Sequence, residues 1–292
     1  MNPWQAALNP AIYSAAAVPV LVGTAAAFQQ TGTFHPLFFV LALVGLILIQ
    51  AWINLTNDVF DAETGVDKNK PWSLVNLTGQ PQRIFWLGNL CLGLGAFAFG
   101  LLAWLQQDWA IVAASTVGCL LGYAYQGPPL RLSYRGVGEI ISFLCFGPIA
   151  VTVSAYAQTQ QWLGSALAAS LIVGTLTSLI LYTHHFAQIA DDREAGKRSP
   201  IVRWGTKLAA RRMIWLFVAL YGWVVLFVVT GVLPWPTLLV LGTVVLSRPL
   251  FSWVNQFHDQ PQKVGMAMPM VIQVHFLGGI LLAAGLVMDR FL

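Results

Sequence analysis

The 292-residue chain is 57% hydrophobic and only 9% charged, with 15 Lys and Arg against 11 Asp and Glu and a formal net charge of +4. Soluble domains carry about 25% charged residues, so this chain cannot cover a water-facing surface and lipid must solvate much of it. The basic balance is therefore not a nucleic-acid signature, and what matters is where the cations fall.

A bilayer-spanning helix takes roughly 20 apolar residues, and helices are expected because backbone groups in lipid must be satisfied internally. Apolar windows predict an all-α, polytopic membrane protein: one domain over 1–292 with nine spans. The first, about 11–29, has no basic start or small-residue cleavage site and reads as a retained span rather than a signal peptide. The second, 37–56, runs straight into NDVFDAETGVD, which sets Asp58, Asp61, Glu63 and Asp67 at the mouth of a greasy segment. Asn57 and Asp61 are four apart and share a helix face, and Gly65 stands where a left-handed cap would end the helix.

Spans 84–105 and 109–126 follow, the latter leading through Tyr125 into the loop GPPLRLSYRG with Arg131 and Arg135. Span 137–157 opens near Glu139, and span 163–187 ends in His184 and His185. Next comes QIADDREAGKRSP, in which Gln188 and Asp192 repeat the amide–carboxylate pair and Gly196 repeats the cap position. Spans 213–233, 236–253 and 269–289 complete the chain. Cys91, Cys119 and Cys145 all fall inside spans, without metal-ligand spacing, and read as small packing residues.

Nine spans place every Lys and Arg except Arg290 on one side, in or beside loops 57–83, 127–136, 188–212 and 254–268. The positive-inside rule makes that side, and the amino terminus, cytoplasmic. The two acidic units follow spans 2 and 6, which run the same way, so they form a parallel repeat. Together they hold seven of the 11 acids: Asp58, Asp61, Glu63, Asp67, Asp191, Asp192 and Glu194. Carboxylate and amide oxygens suit magnesium, which is commonly shared between protein carboxylates and substrate phosphates. Lys197, Arg198 and Arg131 add positive charge for phosphate oxygens, so the arrangement fits a diphosphate leaving group carried by a lipid tail.

NDVFDAETGVD resembles the first aspartate-rich motif of the UbiA superfamily of intramembrane aromatic prenyltransferases, and DDREAGKRSPIVRWG resembles the second. The run GYAYQGPPLRLSYRGVGEIISFLCFGP, residues 122–148, is similar to the Tyr-Gly-Pro-rich loop and following Gly-x-Gly-Glu of its 1,4-dihydroxy-2-naphthoate branch. The resemblance implies a ring of nine helices around a lipid-open cavity, with Mg2+ and diphosphate under cytoplasmic loops. It also implies transfer of a prenyl group, phytyl in the most similar form, to 1,4-dihydroxy-2-naphthoate. Diphosphate and the acceptor carboxylate are lost, on the way to phylloquinone or menaquinone. On this basis Asp61 and Asp192 are the catalytic candidates, and Asn57, Asp61, Asp67, Asp191 and Asp192 the metal ligands. Candidate substrate contacts are Asn57, Tyr125, Arg131, His184, His185, Gln188, Lys197 and Arg198. The chain departs from the broad family at Gln188, where an aspartate is usual, and at His184 and His185, where asparagines are. Homogentisate, 4-hydroxybenzoate and chlorophyllide stay open as acceptors. A secondary transporter is the reading from another class, although transporter sites sit near the bilayer midplane between repeats that are often inverted.

Overall fold

Apolar segments of this length become helices because each amide must find its carbonyl within the segment itself. In the computed structural model, which describes residues 10–66, 70 and 73–292, every regular element among the described residues is helical. In chain order the long ones are α1 (Ser14–Thr31), α2 (Pro36–Thr64), α3 (Pro81–Gln106), α4 (Ala110–Gln126), α5 (Gly138–Thr159), α6 (Gly164–Ala187), α7 (Thr206–Val229), α8 (Trp235–Phe257) and α9 (Pro261–Asp289). Among the described residues, seven of them, α2, α3 and α5–α9, are long and apolar enough to cross a membrane. The two others lie at the remaining two of the nine expected span positions, but fall short of that length or apolarity. Of these, α4 has only 17 residues, and α1 is diluted by threonine and glutamine.

Proline at the first helical position, where its missing N–H costs nothing, opens α2, α3 and α9. At the other end of α2 the helix outruns its apolar window by two turns and stops at Gly65, whose φ of 80° is left-handed. Asn57 and Asp61 are thus helical residues, held rigidly at the end of a span.

Within α5 the helix widens into a π turn at Cys145–Ile149, around Pro148; such turns recur at functional sites. Beside it Gly147 lets α5 press on α6, since a β-carbon there would lie 2.5 Å from the Ser170 carbonyl oxygen. Consecutive helices pack as neighbours and α9 returns to α1, closing the ring. Toward the middle, α1 packs along α5, and α6 meets α1, α5, α7 and α9. Apolar side chains such as Trp86, Phe97, Trp215 and Val245 face outward, as a lipid-solvated bundle requires.

Candidate active site

A cavity of about 230 Å³ opens between α2, α4, α5 and α6. The face of α2 turned to it carries Gln50, Asn54, Asn57 and Asp61, four polar side chains spaced 4, 3 and 4 residues apart. Asn57 Nδ2 donates to Asp61 Oδ2 at 2.8 Å, which fixes the carboxylate on the helix.

Opposite, α6 ends at Ala187 and Gln188 breaks the helix (φ −102°, ψ 10°); the chain restarts as the short helix Ile189–Glu194. This break folds the second acidic unit back on the end of α6. The Asp192 amide donates to the Gln188 carbonyl at 2.8 Å and the Lys197 amide to the Asp192 carbonyl at 2.7 Å. Asp192 is fully buried. Its Oδ2 accepts from His185 Nδ1 at 3.0 Å, while Lys197 Nζ lies 3.4 Å from Oδ1. His185 Nε2 in turn sits 3.6 Å from Glu139 Oε1 on α5, so Glu139, His185, Asp192 and Lys197 form a chain.

Lys197 joins the two units. Burial disfavours its charge, but Tyr125, Asp192 and Asp61 hold the ammonium above the usual lysine range. Burial also opposes ionisation of Asp192, yet the His185 hydrogen bond and the Lys197 charge outweigh it and keep the carboxyl below its usual range. One buried cation therefore feels an aspartate from each half of the repeat.

Of the residues anticipated from the sequence, Asn57, Asp61, Tyr125, His184, His185, Gln188 and Lys197 all line this one cavity. Asp192 stands behind His185 and Lys197 rather than in the wall, and Asp191 is half-buried outside the lining. Arg131 pairs with Glu63 at 3.2 Å on the exposed rim. Arg198 has an exposed side chain, and its amide donates to the Tyr134 carbonyl at 3.0 Å. Asp67 lies outside the described residues.

Sequence reasoning did not single out Gln50, Asn54, Gln126, Glu139, Tyr134 or Lys70. For Gln50 and Asn54 a signal existed, since they continue the Asn57–Asp61 face downward in steps of one turn. Lys70 lines the cavity with Nζ 3.2 Å from Asp58 Oδ1, and Asp58 Oδ2 accepts from the Leu74 amide at 2.9 Å. Asp58 therefore organises the loop rather than facing the cavity.

The donor set can be tested against a divalent cation. Among the described residues no three His, Cys, Asp or Glu side chains converge into a preformed cage. What the site offers is oxygen: the amide and carboxylate of Asn57 and Asp61 in the wall, with the buried Asp192 carboxylate behind it, paired to Lys197. An incomplete, all-oxygen set suits Mg2+, which retains waters and substrate phosphates in its shell, better than a metal needing a closed protein cage.

Inward, the cavity shares Gln50, Ile53, Cys145 and Phe146 with a smaller apolar cavity of about 50 Å³ that reaches Leu46, Gly118, Ile149 and Val153. The space is thus polar at the helix ends and apolar toward the middle of the bundle.

The UbiA prenyltransferase family matches residues 16–287. The chain is 42% identical to the 2-carboxy-1,4-naphthoquinone phytyltransferase of Synechocystis sp., over 97% of this chain and 92% of that protein. It is 38% identical to the chloroplastic protein of the same name from Arabidopsis thaliana, over 98% of this chain and 77% of that one. Among solved structures, a UbiA homolog from Archaeoglobus fulgidus bound to GPP and Mg2+ aligns with a TM-score of 0.63, covering 97% of this chain and 100% of that one. At 14% identity this is a likeness of fold.

Proposed function

The chain belongs to the UbiA prenyltransferase family, and on that premise we propose that it transfers a phytyl group from phytyl diphosphate to 1,4-dihydroxy-2-naphthoate. A membrane-embedded prenyltransferase is the general activity; the donor, the acceptor and the dependence on Mg2+ are the specific reading. The observation that carries it is Lys197, buried 3.4 Å from Asp192 and lining, with Asp61, the polar end of a cavity whose other end is apolar. A molecule with an anionic head and a hydrocarbon tail matches that gradient.

In this reading Asn57 and Asp61 in the wall would hold the divalent cation directly, and Asp191 and Asp192, which stand outside the lining, would do so through its bound waters; Asp67 belongs to the same motif. When bound, the cation supplies positive charge to the diphosphate oxygens. Lys197 meets the same oxygens from the protein side, and His185 keeps Asp192 ionised and turned toward Lys197. The apolar inner space excludes water from the allylic carbon as its bond to oxygen breaks. The acceptor ring carbon then forms the new carbon–carbon bond, and the acceptor loses its carboxylate. The positive-inside distribution supports a cytoplasmic side for this chemistry.

Purified protein in lipid nanodiscs, given labelled phytyl diphosphate, 1,4-dihydroxy-2-naphthoate and Mg2+, should yield a product with the mass of the prenylated, decarboxylated naphthalene ring. Asp61→Ala and Asp192→Ala should each abolish it while the protein still extracts and purifies as a folded membrane protein. Product from homogentisate or 4-hydroxybenzoate in its place would move the reading to that acceptor.

A further inference from the structure

We propose that Gln50 and Gln126 bind the two ring hydroxyls of the aromatic acceptor and thereby select its reduced, dihydroxy form over the quinone. The inference rests on the reading that a dihydroxynaphthoate is the acceptor.

Both glutamines line the cavity and both are more than nine-tenths buried, at 6% and 2% exposure. In each, the carbonyl oxygen has no hydrogen-bond partner. A buried polar atom left unpaired costs about 1–3 kcal/mol, so two of them in one cavity wall ask for an explanation.

Which end of the Gln126 amide is unpaired follows from its neighbours. Its nitrogen donates to the Ile53 carbonyl at 2.9 Å and to Thr56 Oγ1 at 2.6 Å. The carbonyl can only accept, and the Thr56 hydroxyl already donates to the Trp52 carbonyl at 2.7 Å. Both contacts therefore demand N–H groups, and the Gln126 oxygen must be the orphan. Gln50 Nε2 donates one of its two N–H groups to Asn54 Oδ1 at 2.8 Å, and its oxygen has no partner.

The wall thus presents two acceptors seeking donors. The diphosphate brings only acceptor oxygens, and those are drawn to the cations at the rim. The prenyl tail brings no polar hydrogen. Of the groups that the two substrates carry, only the ring hydroxyls of the acceptor can donate. A quinone would set carbonyl oxygen against carbonyl oxygen at Gln126, whose two N–H groups are already spent. Gln50 lies eleven residues below Asp61 on one helix, about 16 Å along the axis, so an acceptor held there lies on the inner side of the diphosphate, toward the apolar space.

The test is equilibrium binding to the full chain in nanodiscs, under dithionite for 1,4-dihydroxy-2-naphthoate and without it for the corresponding quinone. Binding of a non-hydrolysable prenyl thiolodiphosphate reports an intact fold. One hydrogen bond is worth about three- to tenfold in affinity, so the native protein should prefer the reduced form by about tenfold or more. Gln50→Met and Gln126→Met should each cut that preference to about threefold or less, with unchanged affinity for the thiolodiphosphate. Variants that bind the thiolodiphosphate normally yet keep the full preference would overturn the assignment, as would a native protein without any preference. Native protein that binds the thiolodiphosphate but neither naphthalene form would overturn the acceptor reading itself, and the assignment with it. Should Gln126→Met lose the thiolodiphosphate as well, Gln50→Met decides alone, because its side chain does not tie α4 to α2.

Discussion

Lys197→Met isolates the charge at which the two acidic units meet. Lys197 is 6% exposed and its ammonium sits 3.4 Å from a fully buried Asp192. The variant leaves that carboxylate with His185 as its hydrogen-bonding side chain. Removing one member of a buried ion pair costs about 3–5 kcal/mol. The retained bond from His185 places the expected loss near the lower end, about 3 kcal/mol. The direction with pH follows from the shifts. Because the folded Asp192 pKa is depressed, its contribution is full above the usual carboxylate pKa and is lost only as pH falls through the lower folded value. Because the Lys197 pKa is raised, its contribution is full below the usual lysine pKa and is lost only as pH climbs through the higher folded value. Native stability should therefore owe no slope to this pair across the neutral range. In the variant the Asp192 pKa rises, and stability should recover as pH is lowered toward about 5. Thermal unfolding followed by tryptophan fluorescence from about pH 5 to 8, alongside prenyl transfer from labelled diphosphate, measures both effects. Adding Asp192→Asn should restore most of the lost stability, since neither charge then remains buried, yet turnover should stay down by about 100-fold or more. A Lys197→Met protein that melts and turns over like the native one at neutral pH would refute a charged, functional junction at this residue.

Other perturbations reach different parts of the structure. Chelation with EDTA should stop turnover and added Mg2+ should restore it, with little change in the melting point of the substrate-free protein. Gly118→Leu pushes a side chain into the inner apolar cavity from a position where even a β-carbon comes within 3.2 Å of Ile149 Cγ2. It should raise KM for long-chain prenyl diphosphates much more than for short ones, as measured over a donor series. At the end of α2, Gly65→Val forces a β-branched residue to a φ of 80° and should destabilise the protein by about 1–2 kcal/mol, read as a lowered melting midpoint.

Local chemistry made much of this architecture legible in the sequence. Apolar windows located the helices, Gly65 marked the end of α2, and the four-residue spacing of Asn57 with Asp61 put them on one face. Two acidic units after spans of the same direction implied that they would meet, and Lys197 is where their charges converge. What escaped depends on packing between helices. Glu139 reaches His185 because Gly147 brings α5 against α6, and neither partner carries a mark of that in its own neighbourhood. The different placements of Asp191 and Asp192 follow the break at Gln188, which buries one carboxylate against His185 and Lys197 and leaves the other half-buried. Helices α1 and α4 blur into their surroundings because length and polar content weaken the apolar signal on which the reading of spans depends. Gln50 and Gln126 were passed over for the opposite reason: single amides in a greasy run read as noise until their partners are known.

Tyr134 has a consequence for how the rim works. Its hydroxyl bonds Thr64 at the end of α2, while its carbonyl accepts the Arg198 amide beyond the second acidic unit. One residue of the connection between α4 and α5 thus staples the two halves of the repeat together. Replacing Tyr134 by Phe would cut the tie to α2 while its carbonyl kept the tie to the second unit.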